Sequence, residues 1–131
     1  MPLNDRSLTN LVGCDPRLSR IAASAIERVG FTVIVGHRSD ADQDQAFAAG
    51  LSKLPAGKSK HNASPSLAFD FIPAPFTDAD WKNTDRFREV ARVLTAVAKE
   101  QGVAVRWGGT WSDKVDGPAG HFVDSDHFEL V

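Results

Sequence analysis

Leu67-Ala68-Phe69-Asp70-Phe71-Ile72 is a short apolar run that Pro73 and Pro75 cut off. Its make-up and the prolines behind it predict a strand over 67–72. Side chains alternate along a strand, so Phe69 and Phe71 share one face and Asp70 takes the other. A carboxylate in the middle of such a run is costly to bury unless something pairs with it. An Arg, backbone N–H groups or a metal ion would serve.

The pattern continues on both sides of this strand. From Thr84 to Gln101, the residues Phe87, Val90, Ala91, Leu94, Val97 and Ala98 fall on one helical face, and Gly102 stops the helix. Val103 to Arg106 reads as a strand leading into Trp107-Gly108-Gly109-Thr110-Trp111. A turn-rich loop from Ser112 to Gly120 follows, and His127 to Val131 reads as a terminal strand. On the N-terminal side, residues 51–66 are a loop rich in Ser, Lys, Pro and Gly. Asp40 to Ala49 reads as a helix closed by Gly50, and Phe31 to Val35 as a strand. Asp15 as N-cap and Pro16 at the first helical position open another helix. Leu18, Ile21, Ala22, Ala25 and Val29 keep its spacing, and Gly30 ends it. Residues 1–14 read as an irregular arm. Short strands that come late, interleaved with helices, imply an α+β fold. Helices are expected on one face of a small, mostly antiparallel sheet.

Composition narrows the chemistry. With 131 residues the chain fits one domain, and 1–131 is expected to be that domain. Cys14 is the only cysteine, so a disulfide framework and a Cys-rich zinc site are excluded. Fifteen basic and 17 acidic residues give a formal charge of −2, which argues against nucleic-acid binding and against anchoring to an anionic surface by charge. No apolar run is long enough to span a bilayer. The N-terminus is polar and lacks a signal-peptide stretch, so synthesis in the cytoplasm is expected.

Two of the four histidines, His61 and His127, lie close to aspartates in strand-like surroundings. His61 ends the polar loop nine residues before Asp70. His127 and Glu129 share one strand face, and Phe128 and Leu130 the other. Asp124 precedes His127 by three residues, so it reaches the His127 side only if the chain turns between them. Ser125 and Asp126 permit such a turn, and Asp126 is the rival for any role given to Asp124. The side chain of Asp126 is expected to face away. Arg38 can pin a carbonyl or carboxylate, or simply cap the next helix. Trp107 and Trp111 bracket two glycines, and can line a groove or fill the core. His121 is most simply a loop histidine.

These segments resemble the LAS family of zinc peptidases that cut bacterial peptidoglycan. The family comprises D,D-carboxypeptidases, D-alanyl-D-alanine dipeptidases and phage L-alanyl-D-glutamate endolysins. The resemblance rests on Ser59-x-His61 with Ala68-x-Asp70, and on Asp124-x-x-His127-Phe128-Glu129-Leu130. It rests also on Gly36-His37-Arg38-Ser39 with Gln43, and on Trp107-Gly108-Gly109-x-Trp111. The motifs occur in order across residues 31–131, and the small size with Trp-Gly-Gly leans towards the phage branch. This chain has Ser66 where the family form carries Gly, and its gap from His to Asp is longer. His121-Phe122 competes with His127-Phe128, but Glu129-Leu130 completes the motif at His127.

The resemblance implies one Zn²⁺ per chain, held by His61, Asp70 and His127. It makes Asp124 the general base and Arg38 the residue that steadies the substrate carbonyl. Ser59, Trp107, Trp111 and His121 become candidate substrate contacts beside Arg38. The implied partner is the peptidoglycan stem peptide, cut at L-alanyl–D-glutamate or else at a terminal D-Ala. A catalytically inactive wall-peptide-binding module is the reading of another class. No separate cell-wall-binding domain is expected, nor any nucleic-acid or membrane partner. The protein is expected to be a monomer that reaches the wall after release from the cell.

Overall fold

The computed structural model describes residues 2–50, 57, 59–120 and 122–131. Its elements are α1 (Asp5–Leu11), α2 (Pro16–Ala25), β1 (Phe31–Val35), α3 (Asp40–Ala48), β2 (Ala68–Pro73), α4 (Thr84–Glu100), β3 (Val105–Trp107) and β4 (His127–Leu130). Short 3-10 turns cover Lys60–Asn62 and Asp78–Lys82. The four strands form one sheet in the order β1-β2-β4-β3, with every pairing antiparallel. The fold is therefore α+β, as expected.

The alternation at 67–72 builds the sheet as read. Phe69 and Phe71 are fully buried, and Phe69 packs against Phe128 with ring centroids 5.4 Å apart. α4 lies against β2 and β3, and α2 lies against α4. The expected α4 stripe, Phe87 to Ala98, is buried to the last residue. Each large side chain in it contributes about 1.5–3 kcal/mol on leaving water. Gly102 ends the helix at φ 72°, where an L side chain would be strained. Asp15 caps α2 by accepting from the Arg17 N–H at 2.9 Å. That helix stops at Ala25 rather than Val29, because Arg28 donates to Ala25 O three residues back and tightens the last turn.

The irregular arm expected at 1–14 is corrected: Asp5–Leu11 is helical. Asn4 caps α1, its Oδ1 accepting from the Ser7 N–H at 2.8 Å. The helix works through polar side chains. Asn10 donates to Val33 O, Ser7 Oγ accepts from the Val33 N–H and Asn4 donates to Thr32 Oγ1, each at 2.9 Å. The two bonds to Val33 satisfy backbone groups on the outer edge of β1, which no other strand covers among the described residues. A reading keyed to apolar spacing is blind to a helix docked this way.

The faces of the sheet then divide the labour. The aromatic face is covered by helices. The other face carries Asp70, paired with His127 across β2 and β4, and Glu129, paired with Arg106 across β4 and β3.

Candidate metal centre

Three backbone devices assemble the site. The first is a bulge in β1 opposite Asp70, where the register shifts between Val33 and Val35. Gly36 follows at once, and a Cβ there would stand 1.9 Å from Asn10 O, so only glycine lets the chain pass α1. The second is the 3-10 turn carrying His61. Ser59 Oγ accepts from the His61 N–H at 3.2 Å, and Asn62 Oδ1 accepts from the Ser59 N–H at 3.3 Å. Arg38 N donates to His61 O at 2.8 Å, and Asn62 Nδ2 donates to Arg38 O at 2.8 Å. The Arg38 and His61 segments are thereby laced together.

The third device is the turn before β4. Gly108 N donates to His127 O at 2.7 Å, Asp124 N donates to Gly108 O at 2.9 Å and Trp107 Nε1 donates to Ser125 O at 2.7 Å. A Cβ on Gly108 would lie 2.2 Å from Asp124 O and 2.9 Å from His127 Cβ. Glycine is required here by close approach. The Trp-Gly pair thus fixes the turn that swings Asp124 round to the His127 side. The turn that the strand register demanded is present, with His127 N donating to Asp124 O at 3.0 Å.

The side chains converge on one point. His61 Nε2 lies 3.1 Å from Asp70 Oδ1, and His127 Nδ1 lies 3.4 Å from the same oxygen. The rings are 5.1 Å apart between centroids. All three residues are buried, and their donor atoms lie within 4.8 Å of one another. Tetrahedral N and O ligands about 2.0–2.1 Å from a zinc ion stand about 3.4 Å from each other, so the spacing fits such an ion. The tautomers fit as well. His61 Nδ1 bonds to Gly36 O at 2.8 Å and His127 Nε2 bonds to Glu129 Oε1 at 2.8 Å. Each ring therefore turns its other nitrogen towards the centre, where it offers a lone pair once any proton there is lost. These three residues can hold a metal ion.

Charges around the centre are strongly coupled. Burial would raise the Asp70 carboxyl, but the charges and hydrogen bonds of His61 and His127 outweigh it and hold Asp70 well below the usual carboxylate range. Burial would lower His127, yet its bonds to Asp70 and Glu129 push it up to about 9. Glu129 is held at about 2, as His127, Arg106 and Lys60 overcome its burial. Asp126 is pushed up to about 10 by burial of its carboxyl, by the Asp70 charge and by a hydrogen bond with Asp124. The expectation that Asp126 faces away is therefore corrected. The turn through Ser125 brings both carboxyl groups together, and Asp126 as a residue stays only half-buried.

Asp124 is one-third exposed, with Oδ2 4.0 Å from His127 Nδ1. That is the margin of the donor cluster, on the solvent side. Arg38 donates to Gln43 Oε1 at 2.9 Å, and its Nη2 lies 3.6 Å from Asp70 Oδ2. Trp111 has its ring 5.2 Å from His127 and takes φ 52°, the positive-φ non-glycine position among the described residues. Trp107 is fully buried, so its expected substrate contact is corrected: it pins the Asp124 turn instead. Ser59 caps the His61 turn. His121 lies outside the described residues, and His37 points to solvent. Cys14 is buried and pushed up to about 11 by burial and the Asp15 charge, which suits an inert thiol. Sequence reasoning missed Lys60 and Arg106, which both bind Glu129. The cross-strand pairing of Arg106 with Glu129 was the signal available for one of them.

The chain is similar to known proteins in sequence and in fold. A family model described as phage L-alanyl-D-glutamate peptidase matches residues 1–131. The L-alanyl-D-glutamate peptidase of Escherichia phage T5 is 33% identical over 122 residues, 88% of each protein. The crystal structure of the Serratia marcescens L-Ala D-Glu endopeptidase ChiX superposes with a TM-score of 0.78 at 30% identity, covering 100% of this chain and 90% of that one. The chain belongs to the phage L-alanyl-D-glutamate peptidase family and is a peptidase.

Proposed function

We propose that this protein is a single-domain, zinc-dependent endopeptidase that hydrolyses the L-alanyl–D-glutamate bond of peptidoglycan stem peptides. The observation that carries the reading is the convergence of His61, Asp70 and His127 beside the carboxylate of Asp124. The named specificity of its relatives supports the bond chosen. A zinc ion held by His61, Asp70 and His127 would supply Lewis acidity and make a nucleophilic water available near neutral pH.

The chain's own residues do the rest. Asp124 takes the proton of the attacking water and delivers it to the leaving amine of the D-glutamyl residue. Arg38, aligned by Gln43 and Asp70, donates towards the oxygen of the scissile carbonyl as negative charge grows on it. Trp111, with its ring 5.2 Å from that of His127, would limit water on that side of the site. Among the described residues no helix is long and apolar enough to cross a membrane. The enzyme acts at the wall as a monomer, after release from the cell in which it is made.

The test is mass spectrometry of purified peptidoglycan digested with the zinc-loaded protein. New D-glutamyl amino termini are expected. Release of free D-Ala without them would move the assignment to a carboxypeptidase. Binding to peptidoglycan without any cleavage would leave a wall-binding module.

Loss of metal has a pH signature. His127 is raised from 6.5 to about 9 in the metal-free fold, so its contribution to stability is full below about 6.5 and lost as pH rises through 9. Asp126, raised from 3.8 to about 10, has the same sign, and its contribution declines over that wider window. Metal binding must expel the His127 proton, so affinity gains about tenfold per pH unit below 9 for that one proton. The melting temperature of the metal-free protein is expected to fall between pH 6.5 and pH 9.5. The gap to the zinc-loaded protein should widen over the same range. Calorimetry with and without chelator measures both, and a constant gap would contradict the coupling.

A further inference from the structure

Glu129 follows His127 by two residues on the same face of β4, and nothing in the reaction above uses it. It is 4% exposed, and a buried carboxylate needs partners. It has three. Oε1 accepts from His127 Nε2 at 2.8 Å. Oε2 accepts from Arg106 Nε at 3.1 Å and from Arg106 Nη2 at 2.6 Å, and lies 3.0 Å from Lys60 Nζ. The two cations come from different directions. Arg106 sits opposite Glu129 on β3, and Lys60 belongs to the turn that carries His61. Lys60 also donates to Leu130 O, so it ties the His61 turn to β4 twice.

We infer that Glu129 is a positioning residue for the metal, with Lys60 and Arg106 as its brace. One carboxylate oxygen fixes the proton of His127 on Nε2, which leaves Nδ1 free to face His61 and Asp70. The other oxygen is held by Arg106 and Lys60, so the carboxylate can neither rotate away nor leave the ring. Lys60 adds a second service. It joins the His61 turn to the strand bearing His127, and so sets the separation of two ligands that come from distant parts of the sequence. An outer carboxylate of this kind is worth roughly 10–100-fold in metal affinity. This inference rests on the zinc reading and goes beyond it by assigning residues that touch neither metal nor substrate.

Two measurements test it. In zinc-loaded wild-type protein with ¹⁵N-labelled histidine, the His127 ring is expected to be protonated at Nε2 and metal-bound at Nδ1, with its exchangeable proton protected. The opposite tautomer would overturn the inference without any variant being made. In Glu129→Ala, the zinc dissociation constant is expected to rise by roughly 10–100-fold. Lys60→Met should raise it by a smaller factor, since Arg106 still holds Glu129. A wild-type zinc constant in Glu129→Ala would also overturn the inference. Wild-type protein that takes up no zinc would instead sink the reading beneath it, so the two failures are distinct.

Discussion

Asp124→Asn is expected to fold, take up zinc as the wild type does, and lose roughly 10²–10⁴ in turnover, the usual worth of a general base. Asn matches Asp in size and leaves His61, Asp70 and His127 untouched, so only proton transfer is removed. The neighbouring Asp126 makes the comparison sharper. Burial, the Asp70 charge and a hydrogen bond with Asp124 push its carboxyl up, so it adjoins the base. Asp126→Asn keeps an N–H donor in that place, and its cost should stay within about tenfold, the scale of one net hydrogen bond. Asp116, an exposed partner of Arg92, is a control expected to be near neutral on substitution. Steady-state kinetics on purified peptidoglycan read the order. If Asp126→Asn is dead and Asp124→Asn is active, the base is Asp126. If Asp124→Asn loses its zinc, Asp124 is a ligand.

His61→Ala and His127→Ala are each expected to abolish both stoichiometric zinc and cleavage. Two donors remain in either variant, which is too few for a tight site. The stability readout is independent of activity. A ligand that binds only the folded state adds about 2.7 kcal/mol at a hundred times its dissociation constant. Added zinc should therefore raise the wild-type melting temperature and leave both variants where they were. Elemental analysis showing full occupancy in either variant would remove that histidine from the ligand set. Asp70→Ala belongs with them, and it also strips Arg38 of the carboxylate 3.6 Å away.

Much of this was legible beforehand, for local reasons. Alternation in Leu67–Ile72 put Phe69 and Phe71 in the core and Asp70 on the opposite face, because strand geometry permits nothing else. The α4 stripe was legible because six apolar residues at helical spacing leave one face to bury. Asp15, Pro16 and Gly102 marked helix ends through backbone chemistry that acts within a turn. The candidate ligands were legible as unusual residues in apolar surroundings, and the motif resemblance supplied their roles.

What the sequence by itself determined was which groups are present, which side of a strand each occupies, and where helices begin and end. Only the tertiary structure decided who meets whom. α1 was unreadable because it docks on β1 through polar groups, Ser7 and Asn10 on the Val33 backbone and Asn4 on the Thr32 hydroxyl, a contact that leaves no apolar period. Trp107 could have lined a groove or filled the core, and the packing chose the core, where its indole holds the Asp124 turn. Asp126 was turned inward by a bend that the spacing allowed and did not specify. Lys60 and Glu129 stand 69 residues apart, and no local rule links them. Their meeting depends on β2 pairing with β4, a non-local choice made by burying Phe69 against Phe128. The physical reason is range: propensity, capping and alternation act over a few residues, whereas a metal centre is assembled by the packing of distant ones.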